Sequence, residues 1–153
     1  MEEKTIREVL DAYGKYTSFT SGYSMWPLIK NQRDNIIVVK NTDRLKKYDI
    51  ALYEGKNGKY IMHRVVEVHD DHYIIIGDNC ITKEYVTDDM VVGVLAGFYK
   101  RGKRYIDCRD GKAQKLYAKI WVALSPLRPA MLFAEKCVRA FRNKLFRKKR
   151  DGN

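Results

Sequence analysis

The sequence is poor in the features that staple, anchor or export a small protein. Its 153 residues hold three cysteines, Cys80, Cys108 and Cys137, an odd number with no CxxC spacing. That argues against a disulfide framework or a zinc cage and points to a reducing compartment. No metal or cofactor motif is present. The N-terminus, MEEKTIREVLDAYG, is acidic and lacks an apolar core, so it does not read as a secretory signal. No run of about 18 apolar residues occurs, so no membrane-spanning helix is expected. The nearest candidate, IWVALSPL at 120–127, is short and contains Pro126. Internal repeats and low-complexity tracts are also missing.

What is present is a globular composition, 45% hydrophobic and 32% charged, at a length that suits one domain with an appended element. The formal net charge of +11 is unevenly placed. Residues 1–100 carry 14 Lys+Arg against 15 Asp+Glu, whereas residues 101–153 carry 16 against 4. The excess belongs to the last third. Such asymmetry suggests a nucleic acid or an anionic membrane surface as a partner.

Ile6, Val9, Leu10 and Tyr13 fall at helical spacing, and Gly14 is a natural stop. From about 34 to 107 the pattern becomes β. Strands are expected at 34–40, 49–54, 59–68, 72–78, 90–100 and 104–108. Turns are expected at Asp70-Asp71 and Arg101-Gly102, and a bulge or bend at Gly93. From 112 the chain reads as helix, with Leu116, Ile120 and Leu124 at fourfold spacing. SPLRP interrupts it. A second segment, 130–147, places Met131, Ala134, Val138, Phe141 and Leu145 on one stripe beside Lys136, Arg139, Arg142 and Arg147. The chain then closes on RKKR at 147–150. The fold class is therefore mainly β, a compact twisted sheet or partly open barrel. A short N-terminal helix precedes it and a basic helical extension follows. The division falls at 1–110 and 111–153.

Three segments could carry chemistry: SGYSMWPLI at 21–29, YIMHRVVEV at 60–68 and IIIGDN at 74–79. Singly they read as a turn serine, a half-buried strand histidine and a turn-forming aspartate. Together, and in this order, they resemble the serine peptidase superfamily of type I signal peptidases and the self-cleaving repressors of the DNA-damage response. That family's Ser-Met pair followed by proline is matched by Ser24-Met25 and Pro27. Its Gly-Asp-Ile is matched by Tyr48-Asp49-Ile50, with Tyr in place of Gly. His63-Arg64-Val65-Val66 matches the strand of the general base. Histidine there is the pattern of the endoplasmic-reticulum, archaeal and sporulation-type signal peptidases. Gly77-Asp78-Asn79 matches their Gly-Asp-Asn motif, and Glu84 is the nearest match to a second acid. Val91-Val92-Gly93-Val94-Leu95 matches the final box. The resemblance spans about residues 17–98.

The resemblance implies a serine endopeptidase acting on leader or signal-type peptides. Ser24 would be the nucleophile, His63 the base, and Asp78, or secondarily Glu84, the orienting acid. These residue types suit those roles. A serine hydroxyl is a weak nucleophile until a nearby base takes its proton, and an imidazole is neutral at pH 7. A carboxylate on the far ring nitrogen sets the tautomer. Many signal peptidases carry an oxyanion-donating serine two residues before the nucleophile. Here that position is Gly22, so the backbone amides of Tyr23 and Ser24 are expected to form the oxyanion hole, as in the repressors. Met25 and Trp26 are candidate substrate or lipid contacts.

The expected partners are a peptide or protein precursor and, through the 112–150 tail, an anionic membrane surface. Nucleic acid is disfavoured, since no reading element precedes the β region. The expected location is the cytoplasm or the cytoplasmic face of the membrane. Two alternatives stand beside the peptidase: a non-catalytic membrane-associated module of the same fold, and an autoproteolytic regulator.

Overall fold

The computed structural model describes residues 4–134 and 137–138. It is mainly β. Helix α1 (Ile6–Tyr13) opens on a capping box, in which Thr5 accepts from the Glu8 amide and the Glu8 carboxylate accepts from the Thr5 amide. It ends at Gly14, whose φ of 71° supplies the left-handed stop. Eight strands follow: β1 (Lys15–Phe19), β2 (Asn35–Val39), β3 (Ile50–Glu54), β4 (Tyr60–Val68), β5 (Tyr73–Ile76), β6 (Glu84–Val86), β7 (Val91–Lys100) and β8 (Arg104–Asp107). Helix α2 (Lys112–Ala123) comes next, then a 3₁₀ turn over Ser125–Leu127 and a further helical stretch at 128–134.

The strands form one antiparallel sheet in the order β1-β2-β7-β3-β4-β5-β6, with β8 paired to β7. It is not closed, because β1 and β6 end the path without pairing to each other. Both faces of its centre are covered. Ile50, Leu52 and Met62 join one apolar cluster with Leu10, Leu95 and Phe98. Ala51, Tyr53 and Val65 join a second cluster with Tyr73, Ile75 and Val94. This two-sided burial explains why β3 and β7 read as nearly unbroken apolar runs.

The strands expected from the sequence lie within a residue or two of those observed, the largest difference being the 72–78 run, which ends at Ile76. The Arg101-Gly102 turn takes φ of 54° and 67°, the double left-handed conformation of a tight hairpin. Gly93 lies where the β3–β7 register slips, and a Cβ there would meet the Val39 carbonyl at 2.7 Å. Strands β1 and β6 were not expected. KYTSF and EYV are too short and too polar to announce themselves. On α2, the apolar stripe Leu116, Ile120 and Leu124 is exposed. Tyr117 and Trp121 bond inward to Asp78 instead, and Ala118 is buried. On the second segment, Met131, Ala134 and Val138 are described; Phe141, Leu145 and the basic 147–150 run lie outside the described residues.

Candidate active site

Ser24 begins the turn that carries the chain from β1 towards β2. Gly22 just before it has a φ of 102°, a conformation that side-chain-bearing residues rarely adopt. A serine hydroxyl at this position is therefore disfavoured by the backbone itself. Met25, Leu28 and Ile29 are buried and anchor the turn, while Ser24 stays half-buried. The Ser24 carbonyl accepts the Asn79 amide at 2.7 Å. Among the described residues, no acceptor takes the amides of Tyr23 or Ser24. Both amides are thus without a hydrogen-bond partner among the described residues.

His63 comes from β4, opposite Ala51 of β3, and is 6% exposed. Its Nδ1 lies 3.2 Å from the Tyr53 hydroxyl and 3.7 Å from Glu84 Oε2. The Tyr53 hydroxyl donates to that same Glu84 oxygen. Its one proton being used, the phenol oxygen is left to accept from Nδ1–H. This chain from Glu84 through Tyr53 to His63 selects the tautomer with a bare Nε2. That nitrogen faces Gly77. A Cβ built on Gly77 would lie 2.9 Å from Nε2 and 2.8 Å from the Ser24 carbonyl oxygen, so both groups border one spot. Among the described residues no hydrogen bond joins the Ser24 hydroxyl to His63.

Of the two candidate acids, the structure brings Glu84 to the imidazole. Asp78 is held elsewhere. Its carboxylate accepts Arg64 Nε at 2.8 Å and Nη2 at 2.7 Å, with both side chains almost fully buried. The Tyr117 hydroxyl adds a bond at 3.4 Å. Asp78 acts on His63 only as a nearby charge. Tyr53 was not expected from the sequence; its link to His63 follows from the pairing of Ala51 with His63, two residues along β3, which puts all three side chains on one face.

Burial pushes His63 down to about 4, against the opposing pull of Asp78, so the ring is neutral at physiological pH. Burial also pushes the Glu84 carboxyl up. The sign for stability follows. Between the ordinary value of 6.5 and about 4, the unfolded chain binds a proton that the folded chain does not. Stability is therefore expected to rise with pH across that window, and to be lost as pH is lowered from about 6.5 to about 4, by roughly 3 kcal/mol in all. Urea denaturation at stepped pH checks this, and His63→Gln should remove that part of the slope. An unchanged slope in the variant would refute the assignment.

An apolar cleft of about 320 Å³ reaches Ser24, lined among others by Tyr16, Phe19, Met25, Leu52 and Met62. It runs along β1, an edge strand with one unpaired side. Met25 lines it from the core side, at 5% exposure. Trp26 is 39% exposed and lines a smaller pocket of about 130 Å³ with Trp121, Arg128 and Met131. Burial raises the Cys80 thiol, which disfavours the thiolate a nucleophile needs. Among the described residues, no group of three or more His, Cys, Asp or Glu side chains is placed to hold a metal ion.

The chain matches no protein-family model, and no curated protein matches it.

Proposed function

We propose that the protein is a serine endopeptidase of the signal-peptidase type, acting on leader or signal-type peptides. The observation that carries the reading is the imidazole of His63. One ring nitrogen is engaged by Tyr53 and Glu84, and the other is turned towards the Ser24 turn across Gly77. A further observation supports the likeness to that family: Tyr48, at the family's glycine position, has a φ of 81°, a conformation that favours glycine.

In this reading a peptide lies extended in the cleft beside β1, whose unpaired edge offers main-chain hydrogen bonds. Ser24 Oγ attacks the scissile carbonyl carbon while its proton passes to His63 Nε2. The oxyanion is received by the Tyr23 and Ser24 amides. His63 returns the proton to the departing amine, which leaves an acyl-enzyme, and water deacylates it by the same route. Glu84 stabilises the transient imidazolium through Tyr53. Asp78 serves as the buried counter-charge of Arg64 and keeps the loop after β5 in register.

The second partner is an anionic membrane surface. Leu116, Ile120, Leu127 and Phe133 are exposed on the helical extension, at 60%, 51%, 56% and 70%, within the basic third of the chain. Such a surface buries apolar side chains among acyl chains and sets lysine and arginine against headgroups. Among the described residues no helix is long and apolar enough to cross a membrane. A place in the cytoplasm or on its membrane face is part of the same proposal.

The test is incubation of wild type and Ser24→Ala with signal-bearing precursors, with and without anionic vesicles. Wild type should cleave and Ser24→Ala should lose at least about 1,000-fold in rate. Equal cleavage by the two proteins would defeat the reading.

A further inference from the structure

The loop Gly77–Cys80, between β5 and β6, is the structural pivot of the site. Gly77 borders Nε2 of His63 and the Ser24 carbonyl, Asp78 holds Arg64, and the Asn79 amide holds Ser24. Within the loop, one backbone bond closes a turn, from the Cys80 amide to the Gly77 carbonyl at 3.0 Å. The other restraints on its carbonyls come from far along the chain. Trp121 Nε1 donates to the Asp78 carbonyl at 2.9 Å. Arg128 Nη1 donates to the Gly77 carbonyl at 3.2 Å and the Cys80 carbonyl at 3.3 Å. Three of the loop's four carbonyls are thus held by the helical extension.

We propose that the extension is a clamp for the Gly77–Cys80 loop, with Arg128 as its positioning residue. The proposal rests on the peptidase reading and deepens it. Arg128 is 3% exposed, yet among the described residues it has no carboxylate within salt-bridge distance, and its Nε has no partner. Burying a cation on carbonyls alone is unfavourable, and simple packing would be better served by an apolar side chain. What the guanidinium does that an apolar group cannot is join two carbonyls of one loop and, through Nη2, the Trp121 carbonyl at 3.4 Å. Its Cζ lies over the Trp121 ring, 5.9 Å from the centroid, which couples the two donors.

The consequence is specific. The clamp lies at the loop, while the peptide cleft is lined from α1, β1, the Ser24 turn and the central strands. Loosening the clamp should displace Ser24 and His63 relative to each other and leave the walls from α1, β1 and the central strands in place. It should therefore lower kcat and not raise KM.

The experiment compares wild type, Arg128→Ala, Arg128→Lys and Trp121→Phe in precursor cleavage, in fluorophosphonate labelling of Ser24 and in thermal denaturation. Assays are run well below each Tm and rates are corrected for the folded fraction. Arg128→Ala should lose about 100-fold in kcat with KM unchanged, as small misplacements of reacting groups do. Millimolar ethylguanidinium should restore about tenfold, the value of a charged hydrogen bond. Arg128→Lys should fall between Arg128→Ala and wild type. Trp121→Phe, which removes one N–H and keeps an apolar ring, should lose less than Arg128→Ala. A folded Arg128→Ala with wild-type kcat, or a loss that tracks the folded fraction and is not rescued, would overturn the clamp while leaving the peptidase intact. A wild type that neither cleaves nor labels would instead bring down the peptidase reading, and the clamp's catalytic role with it.

Discussion

Gly77→Ala is expected to lower the cleavage rate by about 100-fold or more while the protein still folds. The added Cβ would sit 2.8 Å from the Ser24 carbonyl oxygen, 2.9 Å from His63 Nε2 and 2.8 Å from Cys80 Sγ. The thiol can rotate away. The carbonyl is tied to the Asn79 amide, and the imidazole is tied through Nδ1 to Tyr53 and Glu84, so neither can yield without breaking its bond. The methyl therefore pushes Ser24 and His63, the proposed nucleophile and base, apart. Overpacking of this kind costs about 1–3 kcal/mol of stability, which denaturation measures separately from kcat. A fully active Gly77→Ala enzyme would show that the close approach at Gly77 is not what sets the Ser24–His63 geometry.

The second large effect separates the two acids. Asp78→Asn leaves the buried Arg64 guanidinium without a counter-charge, and breaking such a pair costs about 3–5 kcal/mol. Its main readout is a depressed Tm. Glu84→Gln has a different signature. The Glu84 side chain is 36% exposed, so little stability is lost, but the imidazolium loses its countercharge and kcat should fall by about 100-fold. Tyr53→Phe should resemble Glu84→Gln in kcat. If Asp78→Asn instead kept its Tm and lost only kcat, and Glu84→Gln did neither, the two roles would be exchanged.

Much of the site could be read from the residues. Ser24, His63, Asp78 and Glu84 were named as candidates through the resemblance that the order of the three segments carries, and Gly77 and Gly22 lie in turns beside them. The assignment of the acids could not be read. His63 and Arg64 are neighbours that point to opposite faces of β4, and only the folded sheet shows that Asp78 meets Arg64. Glu84 reaches His63 because β6 pairs with β5, and EYV is too short to signal a strand. Tyr53 is a link made across β3 and β4, with no local mark in the sequence. The inward contacts of the extension were equally hidden. Its aliphatic spacing marked a helix, but did not show that Tyr117 and Trp121, each with a hydrogen-bond donor, turn inward to the acceptors of Asp78.

The most direct test of the central claim is peptide mapping of a fluorophosphonate adduct formed at pH 7 on wild type and on His63→Ala. The account predicts one adduct in wild type, on Ser24, and almost none in folded His63→Ala. An adduct on another residue, or equal labelling of Ser24 in both proteins, would contradict a serine activated by His63.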